Sequence, residues 1–312
     1  MKKKLYILDE VHPMFYEKLG SRFEIVDDFT SDRKSIAKKI TDAYGLIIRS
    51  RLTFDKELID AAPHLRFIAR VGAGMESIDV KHAESKGIFC LNSPEGNRDA
   101  VAEHAMGMLL SLKNHLCRAD KQVRHGDWLR EINRGTELKG KTVGIIGYGN
   151  MGSAFAERLQ GFSCRVLAYD KYKSRYAPAG IRECSKQDIF READVVSLHI
   201  PLDDHNHHLC DEYWFDAFDK PIVLINTARG PVVKTDALLS AMENGKVVAA
   251  GLDVLEYEES SFENTKTLTE IETFKMLAAR DDVIFSPHVA GWTVESKIKL
   301  ADYLIEKILR VV

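Results

Sequence analysis

The sequence predicts an α/β protein of two domains, each a parallel sheet doubly wound by helices, with the first domain discontinuous along the chain. Three observations carry this. The 312 residues suffice for two domains of ordinary size. Short apolar runs alternate with stretches of helical spacing, over the first hundred residues and again from Lys141, which is the pattern of βαβ units on a parallel sheet. One long helical stretch joins the two series, and another closes the chain. The expected division is residues 1–97 with 289–312 for the first domain and 98–288 for the second.

In the first series the expected strands are Lys4–Leu8, Glu24–Val26, Leu46–Ile48, Phe67–Ala69 and Ile88–Leu91, with helices over Ser31–Ile40 and Asp55–Ala62. A single helix is expected from Arg98 to about Arg124. Its middle, Ala105–Leu110, carries no polar side chain, and a helix apolar all round is buried, here between domains or subunits. The second series has strands at Val143–Ile146, Arg165–Tyr169, Val195–Leu198, Ile222–Ile225, Val247–Ala250 and Val283–Phe285, then an amphipathic helix over Val294–Leu309. Glu256–Glu272 is acidic and polar and reads as a surface loop.

Composition narrows the function classes. With 45% hydrophobic and 29% charged residues the chain is that of a globular protein, and a net charge of -3 lacks the basic surplus of a nucleic-acid binder. Lys2, Lys3 and Lys4 precede only four apolar residues before Asp9 and Glu10, too few for a signal peptide. No apolar run approaches the roughly 18 residues of a membrane span. The five cysteines, Cys90, Cys117, Cys164, Cys184 and Cys210, are odd in number, widely spaced and never in a CxxC pair. They read as reduced cytoplasmic thiols, with neither disulfides nor a zinc site. His205, His207 and His208 form a cluster that fits a solvated loop better than a metal site.

The strongest motif is Gly147-Tyr148-Gly149-Asn150-Met151-Gly152, between a strand ending at Ile146 and a helix running to Leu159. Asp170 stands eighteen residues beyond Gly152, at the end of the next strand. Gly147 permits a tight turn, Gly149 lets a pyrophosphate approach the backbone, and Gly152 allows close packing of helix on strand. The helix N-terminus, beginning at Asn150 and Met151, offers unpaired N–H groups to phosphate. Asp170 would bond ribose hydroxyls and repel a 2′-phosphate, so the expected cofactor is NAD and the domain a Rossmann fold.

Further segments resemble the D-isomer-specific 2-hydroxyacid dehydrogenase family, and its phosphoglycerate dehydrogenase branch in particular. They are Val71-Gly72-Ala73-Gly74, Asn92-Ser93-Pro94 to Asn97, Val101-Ala102-Glu103-His104, Asn226-Thr227-Ala228-Arg229-Gly230, Gly251-Leu252-Asp253-Val254-Leu255-Glu256-Tyr257-Glu258 and Ser286-Pro287-His288-Val289-Ala290-Gly291. The resemblance runs from about residue 40 to the closing helix. It implies catalytic roles for Arg229, Glu258 and His288. It also implies cofactor contacts from His199, Pro201, Thr227, Ala228, Asp253 and Gly291, and substrate contacts from the Ala73–Gly74 turn and Asn97. The chemistry agrees. A guanidinium fork suits a planar 2-oxo acid, histidine exchanges protons near neutral pH, and a carboxylate bonded to an imidazole favours its protonated form and orients it. Taken singly, Arg229 also fits a strand-end charge, Glu258 a solvated carboxylate with Glu256 and Glu259 as neighbours, and His288 a turn residue. His199 is a rival proton donor.

The implied function is interconversion of a D-2-hydroxy acid and its 2-oxo acid, with D-3-phosphoglycerate, and so serine biosynthesis, as the first substrate. Arg49 and Arg51 follow a strand and alternate onto one side, and Arg70 ends the next strand. In the phosphoglycerate branch an arginine resembling Arg49 holds the phosphate. These arginines also fit surface ion pairs with Asp42, Asp55 or Glu57. The chain resembles the short form lacking the regulatory C-terminal domains, so inhibition by serine is not expected. Departures from the family are Asn150 in place of arginine, the histidine cluster, and Glu259-Ser260-Ser261 where proline is usual; they leave hydroxypyruvate or glyoxylate as alternative substrates. A non-catalytic NAD-sensing binding protein is the alternative from another class. Arg98 and Val289 mark expected hinges. Gly126–Gly135, with Trp128, resembles an arm laid across a partner, which implies a homodimer; the alternative is a surface loop with Trp128 buried.

Overall fold

The structure, a computed structural model, describes residues 2–258 and 268–312. It divides into two compact units. One holds the described residues up to Arg98 together with Trp292–Val312, the other the described residues from Asp99 to Gly291.

In the first unit, β1 (Lys3–Ile7), β2 (Phe23–Asp27), β3 (Ala43–Ile48), β4 (Phe67–Arg70) and β5 (Phe89–Leu91) form one parallel sheet in the order β2-β1-β3-β4-β5. Alternation sends Leu5 and Ile7 to one core and Tyr6 to the opposite one, so both faces are covered, and the central strand β3 carries no charged residue. The closing helix, Val294–Val311, buries Ala301, Leu304, Ile305 and Ile308 against Leu5 and Ile7. Thr293 and Ser296 cap its start reciprocally. A Cβ on Gly96 would lie 2.5 Å from the Leu300 backbone nitrogen, so glycine is what lets the two backbones meet.

In the second unit, β6 (Thr142–Ile146), β7 (Arg165–Tyr169), β8 (Ile181–Glu183), β9 (Val195–Leu198), β10 (Ile222–Asn226), β11 (Val247–Leu252) and β12 (Val283–Phe285) form a parallel sheet ordered β12-β11-β10-β9-β6-β7-β8. Strand order reverses between β6 and β9, the place where open α/β sheets bind ligands at the carboxyl ends of their strands. The glycine motif leaves β6 and His199 leaves β9 at this point.

Four expectations are corrected. The edge strand β8 went unanticipated because Ile181-Arg182-Glu183 carries one apolar residue and no alternation. The long joining helix is two, Pro94–Lys113 and Leu116–Arg124, since His115 adopts a left-handed conformation at φ 52. The apolar middle of the first helix packs within the second unit: Ala105, Met106, Met108 and Leu109 join the β6 core while Gly107 is exposed. The second boundary falls after Gly291, not His288, because Asp253 holds the amides of Val289 and Ala290 at 2.9 Å.

Part of the acidic segment, including Glu259, Ser260 and Ser261, lies outside the described residues. Glu256 before it is half-buried, and Glu272–Ala278 beyond it is helical. Among the described residues no helix is long and apolar enough to cross a membrane.

Candidate active site

The glycine motif has the geometry its spacing predicts. Gly147 stands at φ 93, and a Cβ there would meet the His199 carbonyl oxygen at 2.4 Å; one on Gly152 would meet the Gly147 carbonyl at 2.0 Å. A Cβ on Gly149 would meet nothing within 4 Å, so that side of the turn is open for a ligand. Gly149 caps the helix Asn150–Leu159, which directs its first N–H groups, on Asn150 and Met151, out of the helix end. Asp170 accepts from the Tyr148 N–H at 2.9 Å and from those of Tyr172 and Lys173 at 3.0 and 3.1 Å. Its carboxylate is thereby fixed beside the glycine turn.

Two buried polar atoms near this end of the sheet have no hydrogen-bond partner among the described residues, His199 Nδ1 and Thr227 Oγ1. Such atoms are costly unless a ligand or water satisfies them. An open glycine turn, a helix N-terminus, a fixed carboxylate and two orphaned polar atoms together fit a dinucleotide. Pro201, two residues after His199, accepts from Asn206 Nδ2 at 3.0 Å. Burial pushes the His199 ring down to about 3, and Ser197 Oγ lies 2.9 Å from its Nε2. Burial thus favours the neutral form of this ring.

The second cluster is built by the loops after β10, β11 and β12. Asn226 braces the first: its side chain accepts from the Ala228 N–H and donates to the Arg229 carbonyl, both at 3.0 Å. Arg229 donates to the Ala228 carbonyl at 2.6 Å. A Cβ on Gly230 would sit 1.8 Å from the Leu255 carbonyl oxygen, so glycine permits the loops after β10 and β11 to touch. In the second loop Glu258 turns back to accept from the Leu255 N–H. Its Oε2 lies 2.7 Å from His288 Nδ1, with both side chains largely shielded from solvent. His288 holds φ 54, an uncommon conformation that aims the ring at Glu258. Glu256 faces elsewhere, toward His208 and Thr235.

Asp253 does more than the sequence implied. It is 1% exposed and accepts from Ser286 Oγ at 2.5 Å and from the Val289 and Ala290 amides at 2.9 Å, while its carbonyl accepts from the His288 N–H at 2.8 Å. The loop carrying His288, up to Gly291, is therefore pinned to the end of β11. His104 Nε2 lies 2.8 Å from Ser286 Oγ and 3.6 Å from Asp253. The link went unread because His104 sits 182 residues from Ser286.

In the first unit the expected sharing of one side by Arg49 and Arg51 fails. Strand β3 ends at Ile48, so alternation does not reach them. Arg51 donates to the carbonyls of Leu8, Asp28 and Ser31 through four hydrogen bonds. Arg70 donates to the Arg49 and Gly74 carbonyls at 3.2 and 2.8 Å. The Arg49 guanidinium stacks 4.7 Å over the Trp292 ring and has no hydrogen-bond partner among the described residues. The Arg49 N–H donates to Asp9 at 2.7 Å, and burial pushes the Asp9 carboxyl up. The carbonyls of Ala73 and Gly74 are tied to Asn92 and Arg70, whereas their N–H groups have no partner among the described residues. Asn97 Oδ1 is likewise buried and unpartnered there.

Residues 106–290 match the profile of the D-isomer specific 2-hydroxyacid dehydrogenase NAD-binding domain. A hydroxypyruvate reductase of Thermotoga maritima is 33% identical over 89% of this chain and 88% of its own. A D-3-phosphoglycerate dehydrogenase of Mycobacterium tuberculosis is 33% identical over 97% of this chain, which spans only 55% of that protein. The crystal structure of a D-lactate dehydrogenase from Aquifex aeolicus, complexed with NAD and lactic acid, superposes with a TM-score of 0.85 at 29% identity, covering 98% of this chain and 94% of that one.

Proposed function

The chain belongs to the D-isomer specific 2-hydroxyacid dehydrogenase family, as an NAD-dependent oxidoreductase, and within it we propose that its substrate is a short unphosphorylated 2-oxo acid such as hydroxypyruvate or glyoxylate. The observation that carries this is the state of the three arginines. Arg51 and Arg70 donate to backbone carbonyls, which leaves Arg49 as the one cation of the three stacked on a ring instead of bonded to the backbone. A phosphate dianion is usually held by several such forks.

NAD, when bound, supplies or accepts the hydride at the substrate's C2. Gly147, Gly149, Asn150, Met151 and Gly152 would hold its pyrophosphate and Asp170 its ribose. His199, Pro201, Thr227, Ala228, Asp253 and Gly291 would surround its nicotinamide half. Arg229 orients and polarises the 2-oxo acid. His288 delivers a proton to the carbonyl oxygen during reduction and removes it during oxidation. Its Nδ1 pairs with Glu258, so Nε2 carries the transferred proton. Within the first unit, the adjacent N–H groups of Ala73 and Gly74 suit a carboxylate, and Asn97 offers a further polar contact.

The exposed side chains of Leu116, Val123, Trp128, Leu129 and Ile132 support a homodimer, with Trp128 77% exposed and so not the buried residue of a plain surface loop. Five free thiols support a cytoplasmic location.

The test is a comparison of kcat/KM with NADH for hydroxypyruvate, glyoxylate and 3-phosphohydroxypyruvate. Comparable or better efficiency on the unphosphorylated acids is expected. A preference of tenfold or more, on the order of 1.4 kcal/mol, for the phosphorylated acid would instead support D-3-phosphoglycerate. Arg49, with its unbonded guanidinium, favours that second reading, and Arg49→Ala would then erase the preference.

A further inference from the structure

We propose that His208 and Glu256 are positioning residues: with the Thr235 amide they clamp the turn 254–258 and so hold Glu258 against His288. The proposal rests on the roles assigned to Glu258 and His288 and adds a device that sets their geometry.

Glu256 is held at both oxygens. Oε1 lies 2.5 Å from His208 Nε2, and Oε2 accepts from the Thr235 N–H at 2.7 Å. Its side chain is 16% exposed, so the carboxylate is not the solvated charge that its acidic neighbours suggest. His208 is itself fixed. It takes φ 52, its N–H donates to the Pro231 carbonyl at 2.7 Å, and the His207 ring packs 4.0 Å from its own. Cys210 continues the lacing, donating to Val232 and accepting from Lys234. The loop after β9 is thus sewn to the segment that follows Arg229.

On its other flank the turn lies against Gly230, where no side chain fits. Inside the turn the Glu258 N–H donates to the Leu255 carbonyl at 3.2 Å, and the Leu255 N–H donates back to the Glu258 carboxylate. Movement of Glu256 therefore moves the backbone that aims Glu258. A carboxylate needs placement within a few tenths of an ångström to orient its partner ring, and a free turn of five residues does not supply that. Pairing Glu256 with an imidazole and an amide across the loops after β9 and β10 does.

A simpler role for Glu256 is also testable, since its bond to Thr235 sits at the start of the helix Thr235–Glu243 and would stabilise that helix. The two roles differ in what they predict for the purified full chain. With NADH and hydroxypyruvate, Glu256→Ala and His208→Ala should lower kcat about tenfold while the KM for NADH stays within about twofold. Glu256→Gln should retain most of the activity, because the amide oxygen still accepts from Thr235. Glu256→Ala added to Glu258→Gln should lower kcat no further than Glu258→Gln alone, the signature of two residues acting through one contact. Hydrogen exchange at the Leu255 amide should quicken in both alanine variants. Lowered thermal stability with unchanged kcat and unchanged Leu255 exchange, or additive losses in the double variant, would overturn the clamp. If the wild type reduces none of the acids, the substrate reading fails, and exchange at Leu255 still decides the clamp.

Discussion

The Nδ1 atom of His288 lies 2.7 Å from Oε2 of Glu258, and the backbone that delivers the imidazole to that position sits at φ 54. The unusual backbone is held by Asp253, whose carbonyl receives the His288 N–H and whose carboxylate receives the next two amides. Replacement of the ring should remove proton transfer and leave the fold intact. His288→Asn is expected to bind NADH normally and to lose on the order of a hundredfold or more in kcat. Steady-state rates beside fluorescence titration of NADH check this, and near-normal turnover would remove His288 from the role.

Asp253 should be more important to stability than its single charge suggests. Asp253→Ala strands the amides of Val289 and Ala290 and takes one of two partners from Ser286 Oγ, all partly or fully buried, and each unsatisfied buried group costs about 1–3 kcal/mol. The expected loss is about 3 kcal/mol in urea unfolding. Ser286→Ala, which removes a donor instead of the acceptor, should cost less than half of that.

The low value of the His199 ring makes a pH prediction with a definite sign. A histidine ordinarily near 6.5 is held neutral in the fold down to about 3, so between these values the unfolded chain binds the additional proton. Stability from this group is full above about 6.5 and is lost as the pH falls toward 3, by at most about 1.4 kcal/mol per pH unit. His199→Gln should therefore be less sensitive than the wild type to acid between pH 6.5 and 4. Parallel acid sensitivity in urea titrations at pH 7 and 4.5 would contradict the burial.

Asp170 should govern both the cofactor and the shape of its turn. The carboxylate faces the first turn of the motif through the Tyr148 amide. Asp170→Ala is expected to raise the KM for NADH about tenfold and to narrow the preference over NADPH. Equal use of NADPH by the wild type would show that this carboxylate does not discriminate at the ribose.

Arg229, Glu258 and His288 entered as candidates through the resemblance of their segments to the family, whereas the sequence by itself determined the two series of βαβ units and the glycine turn. These are legible because a strand's apolar run, a glycine's freedom at φ 93 and a helix start are properties of a few consecutive residues. Tertiary structure alone decided which neighbours those residues have. Glu256 and Glu258 are two residues apart and equally acidic, yet one meets a histidine 48 residues before it and the other a histidine 30 residues after it. The register of β9 to β12 and the close contact at Gly230 make that choice. Likewise Arg49 and Arg51 read as a pair. The end of β3 at Ile48 and the carbonyls of Leu8, Asp28 and Ser31 draw Arg51 away and leave Arg49 on Trp292. Short-range chemistry sets what each segment becomes, whereas the partner of a charged side chain depends on which distant loops parallel strands bring to the same end of the sheet.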